Sequence, residues 1–142
     1  MENKFDNFFR LEIDSKLDNE GFIRSMVAAF ALQINPTLSE INDIKTAVSE
    51  AVTNCIVHGY NGGPGKITVE VGLKNKLIDI TIIDNGVGID DIERAKEPFF
   101  TTRANDERSG MGFTLMESFM DNLEVKNNPG GGTVVNMTKM ID

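Results

Sequence analysis

The stretch KITVEVGLKNKLIDITIID, Lys66 to Asp84, alternates twice over. Ile67, Val69, Val71 and Leu73 fall on one side of an extended chain and, after a turn at Lys74 to Lys76, Ile78, Ile80 and Ile82 fall on one side of the next. Apolar residues at period two mark a strand with one buried face, and two such runs around a short turn predict an antiparallel hairpin. The carboxylate of Asp84 comes directly after the last apolar pair.

Working outward, the segment FFRLEIDSKL predicts a half-buried strand with Phe9, Leu11, Ile13, Ser15 and Leu17 on one side. NEGFIRSMVAAFALQI follows at helical spacing, with Phe22, Met26, Ala29, Phe30 and Gln33 as its inward row, and Asn35-Pro36 closes it. In TLSEINDIKTAVSEAVTNCIVHGY, Thr37 or Ser39 serves as N-cap and Ile41, Ile44, Val48, Ala51, Val52 and Cys55 form an apolar stripe. NGGPG, residues 61–65, breaks that helix. Beyond DNGVGI come a short acidic helix and the polar, glycine-containing stretch EPFFTTRANDERSGMG, long enough for a lid. A helix in MGFTLMESFMD then turns Phe113, Met116 and Phe119 or Met120 inward, and NLEVKNN and TVVNMTKM form two strands around PGGG.

Helices in a pair and strands in hairpins predict a two-layer α/β sandwich: one mixed, mostly antiparallel sheet with helices on one face. At 142 residues and 40% hydrophobic, the chain is expected to form one domain, residues 1–142. The formal net charge of -8 opposes direct contact with nucleic acid or an anionic membrane, yet leaves room for a nucleotide held by backbone amides, a magnesium ion and an arginine. Cys55 is the single cysteine, so no intrachain disulfide forms, and it reads as a small core residue. The start lacks a signal-peptide pattern and no segment reaches the roughly 20 apolar residues of a membrane span, so a cytoplasmic protein is expected.

Four polar or glycine-rich features sit at the ends of these elements. On the long helix Glu50 and Asn54 stand one turn apart, about 6 Å along the axis, where both can face one ligand. A carboxylate can orient or deprotonate a hydroxyl, and an amide oxygen suits magnesium; an ordinary solvated helix face accounts for the pair as well. His58 continues the steps of four but, close to the helix end, reads as structural or as a partner of the helix dipole. Asp84 can accept a hydrogen bond from an exocyclic amine such as that of adenine, with Gly86 and Gly88 permitting close approach, or it can simply cap a tight turn. RSGMG, residues 108–112, precedes a helix as a candidate anion site, and GGGT, residues 130–133, is a hairpin turn or a contact near a base through Thr133.

Together, Glu50 with Asn54, DNGVG, SGMG and GGGT resemble, in order, the N-box and glycine boxes of the ATP-binding superfamily of gyrase-type ATPases, Hsp90 chaperones, histidine kinases and MutL. Within it, VSEAVTNCIVHGY, PFFTTR and ERSGMGFTLMESFMD are similar to the anti-sigma F factors of spore-forming bacteria, serine kinases that also sequester a sigma factor. The resemblance implies a Bergerat-type ATP-binding fold and these roles: Glu50 as general base, Asn54 on Mg²⁺, Asp84 on the adenine amine, and Gly86, Gly88 and Thr133 beside the base. It also implies that Arg108, Ser109, Gly110, Met111 and Gly112 close on the phosphates, with Thr101 and Thr102 of PFFTTR among the ATP or ADP contacts. Arg24 matches a basic position at the sigma and dimer contacts. The implied partners are a sporulation sigma factor, an anti-anti-sigma protein that is phosphorylated on serine, and a second copy of the chain.

Asn85 is more a histidine-kinase residue at its position, where anti-sigma factors frequently carry an acid. A complete histidine kinase, however, needs a phosphoacceptor histidine on a separate helix, and His58 is the only histidine. The alternatives are an ATP-gated binding protein without kinase turnover and the ATP-binding half of a two-protein histidine kinase.

Overall fold

Each strand of the hairpin is held on both sides. The computed structural model describes residues 4–88 and 112–142. β1 (Asn7–Asp14), β2 (Lys66–Lys74), β3 (Leu77–Asp84), β4 (Asn122–Asn127) and β5 (Thr133–Met140) form one sheet in the order β1-β2-β3-β5-β4. Every neighbouring pair is antiparallel, so the expectation of a mixed sheet gives way to a purely antiparallel one. The reason lies in the turns: β4 and β5 fold back on each other, and β5 then runs against β3 with Ile82 opposite Val135 and Ile80 opposite Met137.

Three helices, α1 (Glu20–Ala31), α2 (Leu38–Asn54) and α3 (Gly112–Phe119), contribute to the same core, α1 and α3 both packing on α2. The hairpin's apolar row is fully buried or nearly so: Ile67, Val69, Val71 and Leu73 of β2 face the helices together with Ile78, Ile80 and Ile82 of β3. From α2 come Ile44, Val48, Ala51 and Val52, with Cys55 just past its end, and from α3 Phe113 and Met116 with Met120 beyond it. Packing of these branched side chains supplies the main stabilising term, about 25 cal/mol for each Å² of apolar surface removed from water.

The inward row of α1 differs from the sequence expectation. Ile23, Val27, Ala28 and Ala31 are buried, whereas Phe22, Ala29 and Gln33 are exposed and Met26 and Phe30 half-buried. The stripe is turned by one residue because the smaller side chains fit against α2, while Phe30 meets Phe9 edge-on at 4.7 Å and Gln33 accepts a hydrogen bond from the Asn7 amide at 2.9 Å. Nor does β1 run on to Leu17, which is 61% exposed at the start of a single 3-10 turn. The Asn19 side chain donates to the Asp14 carbonyl at 2.9 Å and ends the strand there. Asn35, at φ 56°, closes the turn that follows α1 in the left-handed region that asparagine tolerates.

α2 begins with a full capping box. Thr37 Oγ1 accepts from the Glu40 amide at 3.1 Å, and Glu40 returns the bond by accepting from the Thr37 amide at 2.8 Å. The acidic helix expected after DNGVGI and the lid expected in residues 97–112 fall, up to Met111, outside the described residues.

Candidate functional site

The isoleucine row of β3 ends in a charge. Asp84 continues the alternation of Ile78, Ile80 and Ile82 on the helix-facing side and is 3% exposed. A carboxylate so placed needs donors. Its Oδ1 accepts from the Gly86 amide at 2.9 Å, and the Thr133 amide and the Cys55 thiol also donate to it. Burial pushes the Asp84 carboxyl above its ordinary value of 3.8, and the three donors oppose that rise. Burial likewise pushes the Cys55 thiol well up, reinforced by the negative charge of Asp84.

Above this carboxylate the helix changes pitch. After Asn54, residues Cys55–Gly59 form a π-turn in which the Tyr60 amide bonds the Cys55 carbonyl at 3.0 Å. His58 lies within this π-turn, beyond the last α-helical residue. The wider turn frees the Gly59 carbonyl to accept from the Val87 amide at 2.9 Å, which fastens the end of the helix to the loop that follows β3. Two glycines make this contact possible. A Cβ on Gly59 would stand 3.0 Å from the Asp84 carboxyl, and one on Gly86 would overlap the Gly59 carbonyl.

The β4–β5 turn closes the other side. Gly130, Gly131 and Gly132 all have positive φ, and a Cβ on Gly132 would overlap the Asp84 carbonyl. Asn128 donates its amide to the Asp84 carbonyl at 3.2 Å and to Asn85 Oδ1 at 2.9 Å. From the opposite side Tyr60 Oη accepts from the Asn85 amide at 2.7 Å and donates to the Lys66 carbonyl at 2.5 Å. The loop after β3 is thus gripped by two segments far from it in sequence, the end of the helix at Gly59 and Tyr60 and the β4–β5 turn at Asn128 and Gly132.

Of the residues singled out from sequence, Asp84, Gly86, Gly88 and Thr133 come together here. Gly88, at φ 79°, lies against the Gly132 carbonyl. Asn54 is the last α-helical residue before the π-turn and Glu50 lies one turn earlier; both are half-buried. Gly112 opens α3, and Thr101, Thr102, Arg108, Ser109, Gly110 and Met111 lie outside the described residues. Arg24 is on α1, where its Nε faces Glu20 Oε2 at 3.4 Å, a pair one helical turn apart. Sequence reasoning passed over Gly59, Tyr60, Asn128 and the contact of Cys55 with Asp84. Cys55, Gly59 and Tyr60 lie within VSEAVTNCIVHGY, but nothing in the stretch singled them out beside Glu50 and Asn54, and Asn128 was marked only by the crowding of Gly and Asn in NNPGGG.

Among the described residues no three His, Cys, Asp or Glu side chains gather as a metal site. Gly59, Gly86 and Gly132 let the helix end, the loop after β3 and the β4–β5 turn pack directly around the Asp84 carboxylate, and a carboxylate can accept a hydrogen bond from the polar edge of a flat heterocycle.

The histidine kinase-like ATPase domain family matches residues 13–139. Curated relatives match over nearly the whole length: anti-sigma F factor of Thermoanaerobacter sp. (strain X514) is 56% identical over 138 residues, 97% of this chain and 96% of the relative. That of Clostridium beijerinckii is 54% identical over 135 residues, 94% of each. Among solved structures, the RsbU and RsbW domains of Rv1364c from Mycobacterium tuberculosis superpose with a TM-score of 0.67 at 19% identity, covering 95% of this chain and 32% of that one. The catalytic domain of histidine kinase ThkA gives 0.58 at 14% identity, covering 95% and 96%. These structures share the fold, and the chain belongs to the histidine kinase-like ATPase domain family and, within it, to the anti-sigma F factors.

Proposed function

We propose that this protein sequesters a sporulation sigma factor and, as an ATP- and magnesium-dependent serine kinase, phosphorylates and so inactivates the anti-anti-sigma protein that opposes it. The observation that carries the nucleotide half of this reading is the buried Asp84 carboxylate with Gly59, Gly86 and Gly132 around it. The partner half rests on relatives named anti-sigma F factor, among them one at 56% identity.

In this reading Asp84 accepts a hydrogen bond from the adenine amine, with Thr133 and the backbone of Gly86 and Gly88 beside the base. Bound ATP·Mg²⁺ supplies the phosphoryl group and the charge that screens it. Asn54 offers its amide oxygen to the cation. Glu50 orients the substrate serine hydroxyl and takes its proton as the oxygen attacks the γ-phosphorus and the bond to the β-phosphate oxygen breaks. Thr101, Thr102, Arg108, Ser109, Gly110, Met111 and Gly112 contact the phosphates, where positioning and charge do most of the catalytic work. Arg24 serves the sigma contact, the chain acts as a homodimer, and the setting is the cytoplasm. No described helix is long and apolar enough to cross a membrane.

The test is the intact mass of a candidate anti-anti-sigma protein after incubation with the chain, ATP and Mg²⁺. The expected result is one acid-stable phosphate, lost with Glu50→Ala although that variant still binds ATP. Undiminished transfer by Glu50→Ala would remove the base assignment, and an acid-labile product would point to histidine transfer. No transfer alongside sigma capture would leave an ATP-gated binder.

A further inference from the structure

We propose that Asn128 is a positioning residue for the nucleotide site, and that Asn85 is its acceptor rather than a mark of histidine-kinase chemistry. The proposal rests on the reading of Asp84 as the group that meets the base. Asn128 lies outside every motif, in the turn between β4 and β5. Its own backbone closes that turn, its amide donating to the Gly132 carbonyl at 2.9 Å and its carbonyl accepting from the Gly131 amide at 2.9 Å. The side-chain amide then reaches across to the loop after β3 and donates both to the Asp84 carbonyl, at 3.2 Å, and to Asn85 Oδ1, at 2.9 Å.

This bridge joins the two glycine-rich segments at the point where Gly132 leaves no space for a Cβ against the Asp84 carbonyl. With Tyr60 Oη holding the Asn85 amide from the far side, the Asp84–Asn85 peptide is fixed at both edges. The direction of the Asp84 side chain follows from that peptide, because Oδ1 is tied only two residues on, to the Gly86 amide. The task of residue 85 is then to accept a hydrogen bond from Asn128. A carboxylate performs that task as well as an amide oxygen does, so an acid at this position would be equivalent.

The experiment titrates purified full-length variants with ATP·Mg²⁺ and GTP·Mg²⁺ by calorimetry and records each melting temperature. Asn128→Ala and Asn85→Ala are each expected to weaken ATP about tenfold, the scale of one or two neutral hydrogen bonds, and to narrow the gap between ATP and GTP. The double variant should lose no more than Asn128→Ala alone, because that change already removes the bond to Asn85 together with the one to the Asp84 carbonyl. Asn85→Asp should restore what Asn85→Ala loses. Asn128→Asp keeps the size of the side chain but removes the donor, so it should behave as Asn128→Ala even where the alanine variant folds poorly.

A merely structural role would lower the melting temperature without changing the ATP-to-GTP ratio or being rescued by Asn85→Asp. Unchanged ATP affinity in Asn128→Asp, additive losses in the double variant, or failure of that rescue would each overturn the proposal. Asp84→Asn serves as the control. If it binds ATP as well as the parent, the underlying reading of the site fails, whereas its loss of binding beside an unaffected Asn128→Asp refutes the bridge alone.

Discussion

Gly59 and Asp84 meet so closely that a Cβ on the glycine would stand 3.0 Å from both the carboxyl carbon and Oδ1 of the aspartate. Gly59→Ala must push the carboxylate or the π-turn aside, and because Asp84 is also tied to Gly86 the neighbour has little freedom to give. The expected cost is about 1–3 kcal/mol of stability, typical of overpacking, with a clear loss of ATP affinity. A thermal melt with an ATP titration checks both. Parent-like ATP affinity would show that Asp84 does not meet the nucleotide.

Asp84 carries a penalty that pH can reveal. Its folded-state carboxyl lies above the ordinary 3.8, so the proton is favoured by folding. The stability linked to that proton is fully present below pH 3.8 and is lost as pH rises through the raised folded value. At neutral pH the ionised group is therefore destabilising, and Asp84→Asn should melt above the parent at pH 7 while losing ATP binding. The difference in melting temperature should shrink as the pH is lowered toward 3.8. A variant less stable than the parent at pH 7 would contradict this account.

Cys55 should be a poor nucleophile while the protein is folded. It is 3% exposed, and burial and the charge of Asp84 both hold its thiol in the protonated form. Iodoacetamide at pH 8 should modify it more than about tenfold more slowly than the unfolded chain, given that the thiolate is the reactive species. Mass spectrometry reads this without ambiguity because the chain has one cysteine. Rapid modification of folded protein would show that the thiol is open to solvent.

The capping box offers a test far from the site. Thr37→Ala removes the acceptor for the Glu40 amide and should cost about 1 kcal/mol, or roughly 3 °C in melting temperature. ATP affinity below the melting range should not change. A shift in that affinity would show that the start of α2 is coupled to its other end.

Local spacing made much of this fold legible. The alternations in β2 and β3 and the stripe of Ile44, Val48, Ala51 and Val52 are set by residues close together in the chain, and all are buried as the pattern requires. The face of α1 was misjudged because Phe22 and Ile23 are both apolar and only the partner helix decides between them. Asp84 stood out as a carboxylate at a core position of an isoleucine row. Gly59, Tyr60 and Asn128 did not stand out, since each acquires its part from a segment 25 to 44 residues away, as in the bonds from Tyr60 to Asn85 and from Asn128 to Asp84. The π-turn was equally hidden: its sequence, CIVHG, has nothing against an ordinary helix, and the change of pitch is tied to the bond between Gly59 and Val87.

The order of the strands also sets a timetable for synthesis. β3 lies between β2 and β5, so during translation it emerges about fifty residues before its second neighbour and is an open edge until then. The donors that Thr133 and Asn128 bring to Asp84 arrive late as well. A nascent chain can pair β1 with β2 and β2 with β3, but the walls around its buried carboxylate are finished only when β5 leaves the ribosome.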